Sequence, residues 1–319
     1  MNNGAPSIKV SVLMITYNHE KFIVQAIESV LMQDVDFDYE IVIGEDCSTD
    51  HTRDIVTGYE KRYPEKIRVL LSEKNLGMLR NYARTFHSCK GQYIAVLDGD
   101  DYWSSPYKLK KQVDFLDAHP ETSVCFHKVK AQYDGSSKSF DIGPPDEEIK
   151  FLLEDLIPCN FIANCSVMYR AGLVNTLPEW WYSVEMTDWT THILHAQHGD
   201  IGYINEVLGI YRVHPNGVWS MRSDIIKLQE DIKVYDLMNA HLDHVFDKKI
   251  KILKSHCYYM LSTLCYENKN MKMARDFAKK SFVTYPLNRK ISRTVQIKTL
   301  LKFNILYYFE KLKTIARCV

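Results

Sequence analysis

The N-terminal third of the chain alternates between short apolar runs and longer stretches with helical periodicity. Four runs rich in β-branched residues predict buried strands, and they cover Ile8–Ile15, Tyr39–Gly44, Ile67–Leu71 and Tyr93–Leu97. Three stretches between them space their apolar residues at helical intervals and predict helices, namely His19–Gln33, Thr52–Tyr63 and Met78–Ser88. Strands that alternate with helices in this way favour a mostly parallel sheet covered on both faces.

The rest of the chain is less regular before it becomes helical. Val124–Tyr133 and Asn164–Tyr169 predict two further strands, and the Gly-, Ser-, Pro- and Asp-rich segment Asp134–Glu148 predicts a loop between them. From Ser223 onward the pattern is helical. Four residues there fall near the spacing of a single tetratricopeptide-type helical pair, namely Leu261, Ala274, Ala278 and Pro286. One such pair cannot form a solenoid, so a helical appendage is expected.

Composition narrows the class of protein only slightly. The 319 residues are 46% hydrophobic and 25% charged, as in an ordinary globular protein. With 40 basic and 40 acidic residues, the net charge neither favours nor excludes a polyanionic partner. None of the eight cysteines forms a C-x-x-C pair, so reduced thiols are expected rather than a zinc cluster. The sequence predicts no signal peptide and no apolar run of the ~20 residues that a membrane span requires.

Polar or acidic residues follow three of the predicted strands, and they are Thr16-Tyr17-Asn18, Glu45-Asp46 and Asp98–Asp101. Ligands of such sheets bind outside the carboxyl ends of the strands, so these residues are expected to come together. The clustered carboxylates of Asp98–Asp101 repel one another, and Mg²⁺ or Mn²⁺ shared with a diphosphate would relieve that repulsion. The alternative is an acidic turn that caps the next helix.

The other two clusters also allow a functional and a structural interpretation. Asp46 could accept hydrogen bonds from a nucleobase or a ribose, while Ser48 or Asp50 caps the following helix. In the alternative, the whole acidic stretch serves only the helix N-terminus. Tyr17 could stack on a nucleobase or could pack within the protein.

Taken in order, the motifs TYN, EDCSTD, NLG and LDGDDYW resemble the nucleotide-binding half of the family 2 glycosyltransferases with the GT-A fold. The resemblance covers roughly residues 8–220. It implies that Tyr17 lies against the base and that Asp46 binds the base and ribose. It also implies a D-x-D group that holds ribose, metal and diphosphate, formed by Asp98, Asp100 and Asp101. The predicted nucleotide-binding residues are Thr16, Tyr17, Asn18, Asp46, Arg84, Asp98 and Asp100, and the predicted metal ligands are Asp100, Asp101 and His214.

The chain departs from the family pattern at three places. Ile15 stands where the family often has Pro, and Cys47 stands where a Gly often follows two aspartates. After Asn75-Leu76-Gly77 the family often has Ala-Arg-Asn, whereas this chain has Asn81-Tyr82-Ala83-Arg84. Arg84 therefore has two interpretations, contact with a phosphate or exposure on a solvated helix face.

Two later segments fit the same resemblance. Glu185–Trp189 resembles the stretch with the family's Glu-Asp base motif, although Thr187 replaces the Glu. The resemblance implies that Asp188 is the base that removes the acceptor hydroxyl proton. The alternative is an acid that only caps the helix beginning at Trp189. The tryptophans near this segment are predicted to stack on sugar faces or to pack in the core, and they are Trp180, Trp181 and Trp189.

The segment Tyr211–Ser220 resembles the family's late His loop. The resemblance implies that His214 binds the metal or the diphosphate, although a single His can also be structural. Gly217 would provide a hinge, and Trp219 would close over the donor sugar. Together with Trp189, these two residues form the predicted donor and acceptor loop.

The fold prediction is an α/β protein with the GT-A fold, in which helices flank a mostly parallel nucleotide-binding sheet and a helical appendage follows. The predicted domains are residues 1–222, comprising a nucleotide-binding half (8–101) and an acceptor half (102–222), and residues 223–319. The predicted activity is inverting transfer of a hexose or N-acetylhexosamine from a nucleotide sugar, most simply a UDP-sugar, to a hydroxyl of a glycan or lipid-linked acceptor. A metal-dependent role in cell-surface polysaccharide synthesis is expected.

Two other functions are compatible with parts of the pattern. A nucleotidyltransferase could use a similar sheet, but it usually needs a Gly- and Lys-rich phosphate loop that Thr16–Glu20 lacks. A non-catalytic nucleotide-sugar or glycan-binding protein could share the scaffold, but the intact acidic cluster and Asp188 argue against it. The predicted partners are therefore a nucleotide sugar and a glycan or lipid-linked acceptor, with no nucleic acid.

The C-terminal segment 289–319 is basic and amphipathic. It has eight Lys or Arg against the single acid Glu310, and the cations are Arg289, Lys290, Arg293, Lys298, Lys302, Lys311, Lys313 and Arg317. A helix here would border its apolar face with cations, as interfacial helices do. The expected location is cytoplasmic, with peripheral attachment at the inner face of the cell membrane as one interpretation and packing on the preceding helices as the other.

Overall fold

The computed structural model describes residues 8–144, 149–219, 221–286, 288, 291 and 293–316. The chain divides into two compact units, Met1–Ser220 and Met221–Val319. The first unit contains a single ten-stranded sheet with its helices, and the second unit is helical. The two units therefore differ in secondary structure, and each has its own apolar core.

The ten strands are β1 Val10–Thr16, β2 Tyr39–Glu45, β3 Ile67–Leu71, β4 Tyr93–Val96, β5 Tyr102–Trp103, β6 Thr122–Tyr133, β7 Ser139–Ile142, β8 Lys150–Phe151, β9 Met168–Arg170 and β10 Asp200–Val213. The α-helices of the first unit are α1 Ile23–Leu31, α2 Thr52–Arg62, α3 Met78–Ser88, α4 Lys108–Ala118, α5 Leu153–Leu156 and α6 Thr187–Ala196. Those of the second unit are α7 Asp224–His241, α8 Asp247–Glu267, α9 Met271–Thr284 and α10 Arg293–Ala316.

The sheet has the strand order β3-β2-β1-β4-β9-β6-β10-β5, with β7 beside β6 and β8 beside β10. Strands β1 to β4 are mutually parallel, which confirms the alternating pattern of the N-terminal third. The short strand β9 runs antiparallel to both β4 and β6. It therefore separates the N-terminal parallel set from the parallel pair β6 and β10.

Two predictions for the middle of the chain need correction. The segment predicted as a loop after β6 contains β7, which pairs antiparallel with β6. Most of its side chains are exposed, so it lacks the apolar signal of a strand. The predicted strand Asn164–Tyr169 begins instead as a 3₁₀ turn at Asn164–Ser166, and only β9 is extended.

The main core lies between the sheet and the helices that cover it. Strand β1 is buried along almost its whole length, because helices cover both faces of a parallel sheet. Close packing of α3 on β2 depends on Gly44, where an added Cβ would lie 2.1 Å from the Thr85 hydroxyl. This contact places the middle of α3, at Asn81 and Thr85, beside the carboxyl end of β2.

The second unit confirms the predicted helical appendage. Leu261, Ala274 and Ala278 are almost fully buried, and the small alanines allow α9 to lie close to its neighbours. Phe303 of α10 is 3% exposed and packs in the same cluster. None of the described helices is both long and apolar enough to cross a membrane.

Candidate active site

Three strand ends meet at one edge of the sheet, as the topology predicts. The Asp46 N–H donates to the Thr16 carbonyl at 3.1 Å, and the Gly99 N–H donates to the Ile15 carbonyl at 3.0 Å. An added Cβ at Gly99 would lie 2.8 Å from the Thr16 hydroxyl oxygen. Only glycine therefore lets the acidic turn after β4 approach the end of β1 so closely.

The segment after β1 divides its residues between the surface and the interior. Tyr17 is 42% exposed and is accessible for stacking. Thr16 is buried, and its hydroxyl has no hydrogen-bond partner within the described residues. Asn18 has a φ of 56°, and its Oδ1 accepts the Thr49 N–H at 2.8 Å. Asn18 thus holds the segments after β1 and β2 together.

Asp46 binds the loop before α3. Its two carboxylate oxygens accept the N–H groups of Leu76 at 2.7 Å and of Gly77 at 2.9 Å, and the residue is 3% exposed. In this structure the carboxylate fixes the Asn75-Leu76-Gly77 loop next to the strand ends. The capping role falls to Asp50, whose Oδ1 accepts the Thr52 N–H at 2.9 Å at the start of α2.

Arg84 lies at the carboxyl ends of β2 and β3 rather than on a solvated helix face. Its guanidinium donates to the carbonyls of Glu45 at 2.8 Å, Leu70 at 2.9 Å and Leu71 at 3.1 Å. Its Nε donates to Asn81 Oδ1 at 2.9 Å. Arg84 therefore ties α3 to the sheet edge beside the site.

The three acids after β4 occupy different environments. Burial and the charge of Asp100 raise the pKa of Asp98 to about 7. Burial alone would raise the pKa of Asp100, but its hydrogen bond with His214 and the charge of His19 lower it overall. Asp101 is 2% exposed, and its Oδ1 accepts the Arg212 N–H at 2.8 Å. Asp101 thus joins the acidic turn to β10.

Two histidines approach Asp100 from opposite ends of the sequence. Its Oδ2 lies 3.1 Å from His214 Nε2 and 3.6 Å from His19 Nε2. Arg212 donates from Nη1 to the Asp100 carbonyl at 2.6 Å, and its guanidinium stacks on the Tyr102 ring at 4.5 Å. The site therefore places two imidazole rings beside the Asp100 carboxylate and a guanidinium beside its backbone carbonyl.

The Asp100–His214 pair fits a divalent cation. Neighbouring ligands of an octahedral ion with bonds of about 2.1 Å lie about 3 Å apart, which is close to the 3.1 Å separation of Asp100 Oδ2 and His214 Nε2. Within the described residues, no group of three or more His, Cys, Asp or Glu side chains could hold a metal alone. A cation here would need further ligands from water or from a substrate diphosphate.

Asp188 lies in the first turn of α6. Burial raises the pKa of its carboxyl, while the backbone N–H groups at the start of the helix and the Asn160 amide oppose that rise. Asn160 Nδ2 donates to Asp188 Oδ2 at 2.9 Å, and Asn164 Nδ2 donates to Asp98 Oδ2 at 2.8 Å. The two carboxylates are close enough for the charge of Asp188 to raise the pKa of Asp98 further.

Of the tryptophans predicted to contact sugars, Trp181 and Trp189 are buried and Trp219 is partly exposed. Trp189 is 1% exposed and donates its indole N–H to the Leu156 carbonyl at 3.0 Å. Trp181 is fully buried and donates to Thr191 Oγ1 at 3.0 Å. The packing alternative therefore holds for both in this structure, because neither ring face is accessible. Trp219 is half-buried, beyond a turn in which the Gly217 N–H donates to the His214 carbonyl.

A model of the family described as "Glycosyl transferase family 2" matches residues 11–177, more than half of the chain. The chain belongs to glycosyl transferase family 2. The matched region contains the three strand ends and the acids Asp46, Asp98, Asp100 and Asp101. The family resemblance of the sequence motifs is thereby confirmed.

Among the relatives of this family 2 chain is an uncharacterized protein of Mycobacterium tuberculosis (strain H37Rv), which is 36% identical over 211 residues. The match covers 66% of this chain and 60% of the mycobacterial protein. The poly(ribitol-phosphate) beta-N-acetylglucosaminyltransferase TarS of Staphylococcus aureus is 34% identical over 125 residues, which are 39% of this chain and 21% of TarS. The chain thus spans less than two thirds of the length of these relatives.

Solved structures support the GT-A fold of this family 2 member. TarS residues 1–349 in complex with UDP-GlcNAc has a TM-score of 0.64 and is 19% identical, with 95% of this chain and 92% of that chain covered. The mannosyltransferase PcManGT from Pyrobaculum calidifontis, in complex with GDP-Man and Mn²⁺, has a TM-score of 0.56 at 15% identity. That likeness covers 97% of this chain and 90% of the mannosyltransferase chain.

Four residues of the site were not identified from the sequence of this glycosyltransferase family member. His19 directly follows the TYN motif, and Arg212 lies within the Tyr211–Ser220 segment two residues before His214, so their positions gave a weak signal. Asn160 and Asn164 belong to no recognisable motif. Their contacts with Asp188 and Asp98 depend on the tertiary structure alone.

Proposed function

We propose that this chain is an inverting glycosyltransferase that moves a sugar from a UDP-sugar to a hydroxyl of a glycan or glycolipid acceptor. The main support is the pairing of a nucleotide-side carboxylate cluster after β4 with a second, half-buried carboxylate, Asp188, on α6. In this proposal residues 8–101 bind the nucleotide, residues 102–222 bind the acceptor and residues 223–319 form a separate helical domain.

The proposed reaction is one direct displacement. The acceptor hydroxyl oxygen forms a bond to the anomeric carbon as the bond from that carbon to the diphosphate oxygen breaks, and the hydroxyl proton passes to Asp188. Thr16, Tyr17, Asn18, Asp46, Arg84 and Asp98 form or support the nucleotide subsite. Asp100 and His214 would hold Mg²⁺ or Mn²⁺, and Asp101 would support them by joining the acidic turn to β10. The cation would supply positive charge to the diphosphate when bound.

The loop with His214, Gly217 and Trp219 is proposed to cover the donor sugar. His214 connects this loop to Asp100, so donor binding and loop position would be coupled. The sugar is proposed to be a hexose or an N-acetylhexosamine, and the acceptor a precursor of a cell-surface polysaccharide. TarS in complex with UDP-GlcNAc and PcManGT in complex with GDP-Man support a nucleotide-sugar donor of this size.

Release of UDP from a panel of UDP-sugars tests the activity. We expect UDP release from at least one donor, increased by Mn²⁺ or Mg²⁺ and abolished by a chelator. GDP-mannose serves as a parallel donor, which tests the choice of base. A thermal shift caused by a nucleotide sugar would show binding. If no UDP is then released in the presence of any glycan or lipid-linked acceptor, the result would instead support a non-catalytic binding protein.

Peripheral membrane attachment is proposed from the distribution of charge. Residues 268–319 contain 13 Lys or Arg against 2 Asp or Glu, whereas residues 1–267 contain 27 against 38. The zero net charge therefore conceals a strongly basic C-terminal segment. Cations close to an anionic bilayer each contribute about 1 kcal/mol of attraction, so this segment is suited to the inner leaflet of a cell membrane.

Helix α10 has two opposite faces. Phe303 packs inward, but three apolar residues at four-residue spacing are exposed, namely Ile297 at 36%, Leu301 at 56% and Ile305 at 68%. Lys298 and Lys302 are exposed beside them. Docking on the second unit and contact with a bilayer are thus compatible. Of the predicted cations, Arg289, Lys290 and Arg317 lie outside the described residues.

Flotation with vesicles containing phosphatidylglycerol tests this face. We expect the full chain to float at low salt, and the double variant Leu301→Glu/Ile305→Glu to bind about tenfold more weakly, because it places acids on the apolar face. Val245→Glu, at a residue that is 76% exposed outside the basic segment, is the control. Equal flotation of all three proteins, or equal binding to neutral phosphatidylcholine vesicles, would contradict the proposal.

A further inference from the structure

One short segment between α5 and β9 binds two acids that come from different elements. Asn164 Nδ2 donates to Asp98 at the end of β4, and Asn160 Nδ2 donates to Asp188 at the start of α6. The amide of Asn160 is oriented by a further bond, because its Oδ1 accepts the Ile162 N–H at 3.1 Å. Its two N–H groups must therefore point away from Ile162, and one of them binds Asp188.

The segment is itself held by buried side chains. Trp103, which is 1% exposed, donates its indole N–H to the Cys165 carbonyl at 2.8 Å. Gln112, which is fully buried, donates to the Ser166 carbonyl at 2.9 Å. The 3₁₀ turn Asn164–Ser166 is thus fixed against β5 and α4. The Asn164 amide is held by this turn, and the Asn160 amide is held by its bond with the N–H of Ile162, which is 2% exposed.

Both carboxylates are half-buried, and each accepts one of these amide bonds. Burial raises the pKa of Asp188, and the amide N–H of Asn160 favours its ionised form. Three tyrosine hydroxyls also interact electrostatically with Asp188, and they belong to Tyr82, Tyr169 and Tyr211. Asp98 is a charged side chain whose carboxylate interacts with that of Asp188. Asn160 is then the side-chain donor that opposes the burial of Asp188.

We propose that Asn160 and Asn164 are positioning residues that fix the distance between the nucleotide-side acid Asp98 and the base Asp188. This inference rests on the proposed function, in which Asp188 accepts the acceptor proton. A displacement reaction requires the incoming oxygen, the anomeric carbon and the leaving oxygen to be in line, and small errors in placement lower the rate strongly. A single rigid segment bonded to both acids provides that alignment before the substrates bind.

Substitution of Asn160 and substitution of Asn164 should affect different kinetic and binding constants. Asn160→Ala is expected to lower kcat by about 10²-fold and to move the acidic limb of the kcat profile to higher pH, with UDP affinity within about threefold of wild type. Asn164→Ala is expected to weaken UDP binding about tenfold and to leave the acidic limb in place. Asn268→Ala, in the exposed turn after α8, is the control. Identical effects of the two variants on kcat and UDP affinity would overturn the proposal.

A thermal measurement tests the same contact without any activity. The folded-state pKa of Asp188 is raised, so its ionisation destabilises the fold as pH rises, and loss of Asn160 should enlarge this effect. We expect Asn160→Ala to lower Tm more at about pH 8 than at about pH 5, and this pH dependence to vanish in the Asp188→Asn background. An equal loss at both pH values in the wild-type background would overturn the proposal. Full transfer by Asp188→Asn alone would contradict only the assignment of the base.

Discussion

Replacing Asp188 with asparagine is expected to lower the turnover of sugar transfer by about 10²-fold or more, with nearly normal UDP binding. The substitution keeps the size of the side chain and removes its negative charge and with it the ability to accept a proton. Asp188 contacts Asn160 and the start of α6, and no bond joins it to the nucleotide-side residues Asp46 or Asp100 within the described residues. Loss of the base should therefore affect the chemical step and spare the nucleotide subsite.

The measurement is kcat for transfer alongside the dissociation constant of UDP for the same protein preparation. Asp224→Asn is a matched control, because Asp224 is also an acid in the first turn of a helix but is exposed in the second unit. It removes an equivalent interaction with a helix N-terminus. A collapse of UDP affinity in Asp188→Asn would show that Asp188 binds the donor, and unchanged turnover would exclude it as the base.

The pH dependence of turnover gives the same hypothesis a second test. A base must be ionised, so activity should be lost as pH falls through the pKa of Asp188. Burial raises that pKa, and the acidic limb of the profile should lie above the usual range of a carboxyl group, which is about 4. The limb should disappear in Asp188→Asn, where the residual activity no longer depends on this group.

The N-terminal half of the fold was predictable because its strands are buried on both faces. Mostly apolar runs such as Val10–Thr16 and Tyr39–Glu45 have few other stable environments. The convergence of Thr16, Asp46 and Asp98 then follows from topology, since the carboxyl ends of parallel strands share one edge. The roles of glycines in this region were less visible, because Gly44 and Gly99 are required by close contacts across the fold.

The rest of the site depends on contacts between residues far apart in sequence. Arg212 reaches the turn at Asp100, and Asn164 reaches Asp98, although no periodic pattern or local motif marks either contact. Trp189 illustrates the opposite error, because the motif favoured a sugar contact while the helix direction buries the ring. Burial of one helix face is decided by the whole packing arrangement, which a five-residue motif does not encode.

Asp46 and Arg84 show how a binding residue and a supporting residue can be confused. Both lie at the strand ends, but in this structure their polar atoms bind backbone groups of the protein. Asp46 fixes the Leu76–Gly77 backbone, and Arg84 fixes the ends of β2 and β3. In the proposed function such residues would shape the nucleotide subsite through their contacts with the protein backbone. The spacing of the motifs predicts that Asp46 and Arg84 lie at the strand ends, but it does not predict which groups they hydrogen-bond.

The acid–histidine pair predicts the second large effect. Asp100→Asn is expected to abolish the increase in UDP affinity caused by Mn²⁺ and to lower transfer by at least about 10²-fold. Asp100 Oδ2 lies 3.1 Å from His214 Nε2 and 3.6 Å from His19 Nε2. The asparagine amide keeps the shape of the side chain, but it lacks the negative charge that a divalent cation requires from its ligands. The fold should persist, because Asp100 makes no side-chain bond to the sheet within the described residues.

Thermal shifts with UDP, with Mn²⁺ and with both together separate metal binding from nucleotide binding. Wild type should show a larger shift with both ligands than with UDP alone, whereas Asp100→Asn should show the same shift in either case. Asp114→Asn on α4 is the control, because Asp114 is 61% exposed and pairs only with Lys110 in the described residues. His214→Gln should give an intermediate loss, since it removes one neutral ligand and keeps the carboxylate. A metal-dependent shift in Asp100→Asn equal to that of wild type would exclude Asp100 as a metal ligand and leave it the role of holding the two histidines in place.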